Sequence, residues 1–189
     1  MPKSQPIERQ IIFVNAARTC VGLVIAFIVL YGFVPLPVPP LPRLIDRLVY
    51  TLRLQSFSVL TIIGGILLVA LQRYFTIAID PINGRGEHHV AVSTRYLTNT
   101  IEQFIVSAMG QLVLTTYLPE REMKVIPILV LFFVFGRVAF LVGYRKSYLK
   151  RTVGFIATFG VSVVVWVFNM CLVVISLYSS VESGKQMSV

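Results

Sequence analysis

Five long apolar stretches, near residues 11 to 34, 57 to 79, 93 to 118, 125 to 144 and 152 to 178, constrain this chain more than any other feature. Each is long enough to cross a hydrocarbon core of about 30 Å, which takes roughly 20 helical residues. The runs are continuous and do not alternate with period two, so they predict helices and argue against a transmembrane barrel. Composition agrees: of 189 residues, 56% are hydrophobic and 13% charged, where a globular domain carries about 25% charge. A net charge of +9 would suggest nucleic-acid binding in a soluble chain. Here the Lys and Arg are scattered between apolar blocks and read as positive-inside anchors, so membrane lipids are the expected partner and nucleic acid is not. The expected class is an all-α integral membrane protein with five spans.

Local chemistry sets the boundaries. The proline-rich segment PLPVPPLPR (35 to 43) forbids helix and gives a short, stiff, extended loop after the first span. Asp80-Pro81 and Asn83-Gly84 are turn signals after the second. Ser93 or Thr94 can cap the third, Pro119 stops it, and Pro127 fits the first turn of the fourth. The first span has no A-x-A cleavage site behind it and reads as retained rather than as a signal peptide. Cys20 and Cys171 lie in apolar runs and give no disulfide framework. Lys and Arg near the span ends number eight on one side and six on the other, which puts the N terminus and the connections at 80 to 92 and 145 to 151 in the cytoplasm and the C terminus on the lumenal side.

Charges inside a span are costly and are read as functional by default. Arg95, Asn99 and Glu102 follow at i, i+4 and i+7, and at 100° per residue they fall within about 60° of one another on one helix face. Arg137 and Tyr144 have the same spacing on the fourth span. Lys150, Arg151 and Thr152 open the last span, where a helix N terminus suits an anion. Arg18, Glu102 and Arg137 all lie roughly 10 to 14 Å deep, counted at 1.5 Å per residue. An intramembrane charge cluster is therefore expected, with Glu102 paired to Arg137 and Arg18 close by. Bland readings compete: Arg18 can snorkel, Lys150 and Arg151 can be anchors, and the third-span residues can be interhelical glue. Glu87-His88-His89 lacks helical metal-ligand spacing, so no metal is expected. Gly64-Gly65, Gly136 and Gly143 suggest close helix contacts.

STRYLTNTIEQF (93 to 104) resembles the R-x-x-x-N-x-x-E signature of the MAPEG superfamily, the microsomal glutathione transferases and eicosanoid-forming membrane proteins. GRVAFLVGY (136 to 144) and KRTVGF (150 to 155) resemble the third and fourth helices of its prostaglandin E synthase. The resemblance implies a four-helix bundle at 57 to 178, preceded by an additional span and loop at 1 to 56 and followed by a tail at 179 to 189. It also implies a homotrimer with glutathione between subunits near the cytoplasmic face, contacted by Arg95, Asn99, Glu102, Tyr144, Arg151 and Thr152. Arg151 would be the catalytic residue, lowering the thiol pKa to favour the thiolate. Phe140 and Phe155 depart from the family, standing where histidine and tyrosine are expected. The additional span and LTTYLP (114 to 119) look more like the mattrin branch, membrane proteins of the secretory system.

Two functions stay open. One is a glutathione-dependent transferase, peroxidase or isomerase acting on a lipophilic substrate, and Arg151 and Tyr144 favour it. The other is a non-catalytic or weakly catalytic scaffold of the endoplasmic reticulum or another secretory-pathway membrane. Phe140, Phe155 and the additional span tip the balance to the scaffold.

Overall fold

The apolar runs fold into long helices, with no strand among the described residues. The computed structural model describes residues 5–80, 82, 84–147 and 149–186; Pro81 and Asn83, expected to turn the chain, and tail residues 187 to 189 lie outside them. Helix α1 is Gln5–Phe33, α2 Leu44–Tyr74, α3 Glu87–Tyr117 and α4 Val125–Lys146. The last span starts as α5 (Arg151–Phe155), passes through a π-helical turn at Ile156–Gly160, and continues as α6 (Val161–Gln186). Four of the five spans are long and apolar enough to cross a membrane. Helix α3, although 31 residues long, is more polar than the others.

Three helices begin earlier than hydropathy predicts: α1 starts at Gln5 rather than near residue 11, and α2 and α3 likewise start early. At α2 the charges of Asp46, Arg47 and Arg53 mask thirteen helical residues before position 57. Arg43 starts the helix, its backbone N–H donating to the Asp46 carboxylate at 3.3 Å and its guanidinium at 3.0 and 2.9 Å. At α3 the start is Glu87, and Ser93 is buried within the helix rather than capping it. Gly86 holds the cap at φ +74°, and a Cβ there would lie 2.5 Å from Ile77 Cγ1, so the turn requires glycine. Arg73 ties the same turn down by donating to the Ala78 carbonyl at 2.8 Å and to both Glu87 carboxylate oxygens at 2.7 and 3.1 Å. At the other terminus α6 runs on to Gln186, so most of the expected tail is helical.

The helices run up and down, so two ends can be distinguished. At one end the proline-rich loop is docked rather than free: Leu41 is buried with Leu114, Met123, Ile126 and Leu129, and its N–H donates to Glu120 Oε1 at 2.6 Å. Nearby, Tyr31 donates its hydroxyl to Glu122, and Lys124 Nζ donates to the Tyr31 carbonyl at 2.8 Å while lying 3.8 Å from its ring. The opposite end gathers the α2–α3 turn and the start of α5. Helix α3 packs against α2, α4 and α6, whereas α1 lies at the edge against α4, α5 and the π turn.

The polarity of α3 is explained by what it buries. Thr115 and Thr51 share a hydrogen bond at 2.8 Å, Gln55 donates to Gln111 at 2.8 Å, and Gln111 donates to Ser107 at 3.0 Å. From α6, Asn169 and Trp166 donate to the carbonyls of Gly110 at 2.8 Å and Val106 at 3.0 Å. In hydrocarbon an unmet polar group is costly, so this seam gives α2, α3 and α6 one register.

Candidate functional site

Arg137 is the centre of the intramembrane polar groups. Its side chain is fully buried, and its guanidinium donates to Asn99 Oδ1 at 2.9 Å, to the Gly154 carbonyl at 3.3 Å and to the Thr158 hydroxyl. The rings of Phe140 and Phe133 lie 5.0 and 5.8 Å from its carbon centre. Nε is buried with no hydrogen-bond partner. One cation thus links α3, α4 and α5 through neutral acceptors and aromatic faces.

Close backbone approach makes this possible. A Cβ on Gly154 would come within 2.2 Å of Phe140 N and 2.4 Å of the Gly136 carbonyl, and one on Gly143 would come within 2.5 Å of the Lys150 carbonyl. The expectation of close contacts at Gly136 and Gly143 is met, with Gly154 as the partner on α5. Gly65 also packs closely, against the Tyr96 ring, whereas Gly64 faces open space.

The expected ion pair is not formed. Glu102 is exposed, and its carboxylate accepts from Asn99 Nδ2 at 3.5 Å, so Asn99 stands between it and Arg137. The physical reason lies in the stripe itself. Asn99 and Glu102 are about 60° apart around the helix, and the neutral residue is the one turned inward. Arg18 does not join the cluster either. It lines a groove between α1 and α4 and makes no hydrogen bond or ion pair with any described residue.

The residues of the resemblance divide into two groups. Arg151 lies over the Tyr144 ring at 5.1 Å, and Phe140 packs edge-on against Tyr144 at 5.7 Å. Tyr96 continues this aromatic path, 6.3 Å from Phe140, and its hydroxyl donates to the Thr61 carbonyl at 3.3 Å. Arg95, Glu102 and Arg151 are exposed on the protomer surface. Thr152 donates its hydroxyl to the Leu149 carbonyl at 2.9 Å, which satisfies the turn before α5 and leaves that oxygen as an acceptor. Phe155 stacks on Phe159 at 5.1 Å and brings no polar group. Thr158 and Gly154, which hold Arg137, were missed from the sequence, as was the α2–α3 seam. Polar residues at helical spacing, Thr51, Gln55 and Ser58 facing Ser107, Gln111 and Thr115, were the signal available.

Comparison with known proteins places this architecture. The MAPEG family profile matches residues 54–171, more than half of the chain, and leaves α1 outside. Transmembrane protein 79 of Bos taurus is 31% identical over 146 residues, covering 76% of this chain and 37% of that protein. The Mus musculus protein of that name is 30% identical over 140 residues, 74% and 36% respectively. The chain therefore spans somewhat over a third of the length of these relatives, which are of the mattrin type the additional span suggested. No solved structure matches significantly. With an all-helical membrane architecture, the family signatures in order and a family match over most of the bundle, the chain belongs to the MAPEG family.

Proposed function

We propose that the protein is a non-catalytic or weakly catalytic scaffold of an endomembrane, assembled as a homotrimer. The observation that carries this reading is that Arg137, the most deeply buried cation among the described residues, spends its hydrogen bonds on Asn99, Gly154 and Thr158 within the protomer. A catalytic cation would be aimed at a substrate, whereas this one holds three helices together. The exposed Arg95 and Glu102 on α3 give the assembly its reason: a polar stripe is unfavourable against lipid and is relieved against a neighbouring subunit. The charge bias at the span ends supports a cytoplasmic N terminus and a lumenal C terminus.

A glutathione-dependent enzyme is the second reading. It is favoured by Arg151 over Tyr144, an exposed cation beside an aromatic hydroxyl at the start of α5. On that reading Arg95, Asn99 and Glu102 of one subunit would face Tyr144, Arg151 and Thr152 of the next. The Thr152 hydroxyl is already donated to Leu149, so thiolate stabilisation would fall to Arg151 alone. Conjugation of glutathione to 1-chloro-2,4-dinitrobenzene by the purified protein separates the two. The scaffold reading expects a rate at or barely above the uncatalysed one, the same in wild type and in Arg151→Leu. Turnover in wild type that Arg151→Leu abolishes would replace it with the enzyme.

A further inference from the structure

Arg18 sits where a bare cation has no reason to be. It is exposed and without a partner among the described residues, fifteen residues before the end of α1 at Phe33. At about 1.5 Å per residue that is roughly 22 Å from the far boundary of a core about 30 Å thick, which places it inside the near leaflet, below the headgroups. It heads a groove of about 610 Å³ between α1 and α4. Along α1 the wall continues as Gly22, Ala26 and Leu30, each four residues after the last, a row that winds gradually round the helix below Arg18 and stays in the groove. Leu131, Phe132 and Phe135 of α4 form the other wall. The trough is open: a Cβ on Gly22 would meet nothing within 4 Å. From Arg18 to Leu30 it runs about 18 Å, starting in the near leaflet and passing the midplane of the core.

The end near Arg18 is polar and positive. Asn15 and Thr19 line it beside Arg18, and Val153, also in the lining, lies two residues after Arg151 in the chain. A cation above an apolar trough one acyl chain long is complementary to an anionic amphiphile. We propose that this groove holds one anionic phospholipid per protomer, its phosphate against Arg18 and an acyl chain laid along Gly22, Ala26 and Leu30. The phosphate supplies the counter-charge that Glu102 does not, and the chain covers a face of α1 that α4 and α5 leave open. The lipid then secures α1, the helix outside the family match, to the bundle.

Lipid retention on the purified protein, read by native mass spectrometry from micelles doped with phosphatidylglycerol or phosphatidylcholine, tests this. The expected result is one phosphatidylglycerol retained per protomer and no retained phosphatidylcholine. Arg18→Leu should lower phosphatidylglycerol retention about tenfold, as loss of a charge-assisted contact requires, and Arg18→Lys should restore most of it. Gly22→Phe should lower retention equally by filling the trough, into which a Cβ at this position opens freely. Arg53→Leu removes an exposed cation on α2 and should change nothing. Glycerophosphate in millimolar excess should not displace the lipid, because the chain supplies most of the binding. Equal retention of both lipids, an Arg53→Leu effect as large as that of Arg18→Leu, displacement by glycerophosphate, or unaltered retention in Arg18→Leu and Gly22→Phe would each overturn the proposal.

Discussion

Replacing Asn99 by leucine should destabilise the protein more than removing the buried charge it serves. In Asn99→Leu the guanidinium of Arg137 loses its acceptor at 2.9 Å and, with Nε already unpaired, has two nitrogens without an acceptor in a dry interior. A hydrogen bond to a charged group contributes about 1.5 to 3 kcal/mol, and the loss sits at the upper end when the charge stays behind. In Arg137→Met the charge leaves, and of its former acceptors only the half-buried Asn99 Oδ1 loses its donor. Thr158 still donates to the Gly154 and Phe155 carbonyls, both at 3.2 Å, and Asn99 still reaches Glu102. One neutral, half-buried acceptor is left in place of an orphaned cation, and a long apolar side chain fills most of the volume, so the cost should stay below about 1.5 kcal/mol. The double variant should be no less stable than Arg137→Met alone, a coupling of about 1.5 to 3 kcal/mol. Glu102→Leu, at an exposed carboxylate, should change stability by less than about 1 kcal/mol. Unfolding of the four variants in mixed micelles measures all of these. Additive losses for Asn99 and Arg137, or a Glu102→Leu loss of about 3 to 5 kcal/mol, the size expected of a broken buried ion pair, would refute the reasoning.

Gly154→Ala puts a methyl group 2.2 Å from Phe140 N, and because backbone cannot yield locally, α4 and α5 must separate; thermal melts should show a loss of about 3 kcal/mol or more. Arg73 holds the Glu87 carboxyl below its usual range through its hydrogen bonds, at a turn six residues before the predicted apolar span. A depressed carboxylate stabilises above its unfolded pKa of about 4.3 and loses that contribution as pH falls through the folded value. Exchange protection at residues 75 to 80 and 84 to 86 should therefore fall on acidification in wild type, and Glu87→Gln should remove the dependence. Cysteines introduced on neighbouring faces of α3 should crosslink to trimers, and a protein that stays monomeric in native mass spectrometry would contradict the assembly. A tag after Val189 should resist protease added outside sealed right-side-out microsomes.

The long-range architecture was legible because apolar runs of twenty residues have few alternatives to helix in a membrane. Helix starts were less so: Asp46, Arg47 and Arg53 lower the hydropathy of the first turns of α2, yet a bilayer leaves room for charged turns beyond its core. The polar stripe at Arg95, Asn99 and Glu102 was read as one unit from its period. Which of its members faces inward depends on α4 and α5, and their approach at Gly136, Gly143 and Gly154 set Asn99, not Glu102, against Arg137. A buried cation needs acceptors and not a carboxylate, and backbone carbonyls, which no sequence pattern advertises, supplied part of the set. Arg18 shared the depth of Glu102 but not its place, since depth along a helix fixes one coordinate and leaves the neighbour undetermined.

Glutathione titrated into the purified protein by calorimetry tests the central claim most directly. A scaffold whose deepest cation is committed to Asn99, Gly154 and Thr158 predicts no saturable heat at ligand concentrations up to about 1 mM, where a site worth about 4 kcal/mol would be half filled. Saturable binding at one glutathione per subunit, lost in Arg151→Leu and retained in Arg137→Met, would contradict it and show that the exposed face of Arg151 and Tyr144 is a working site.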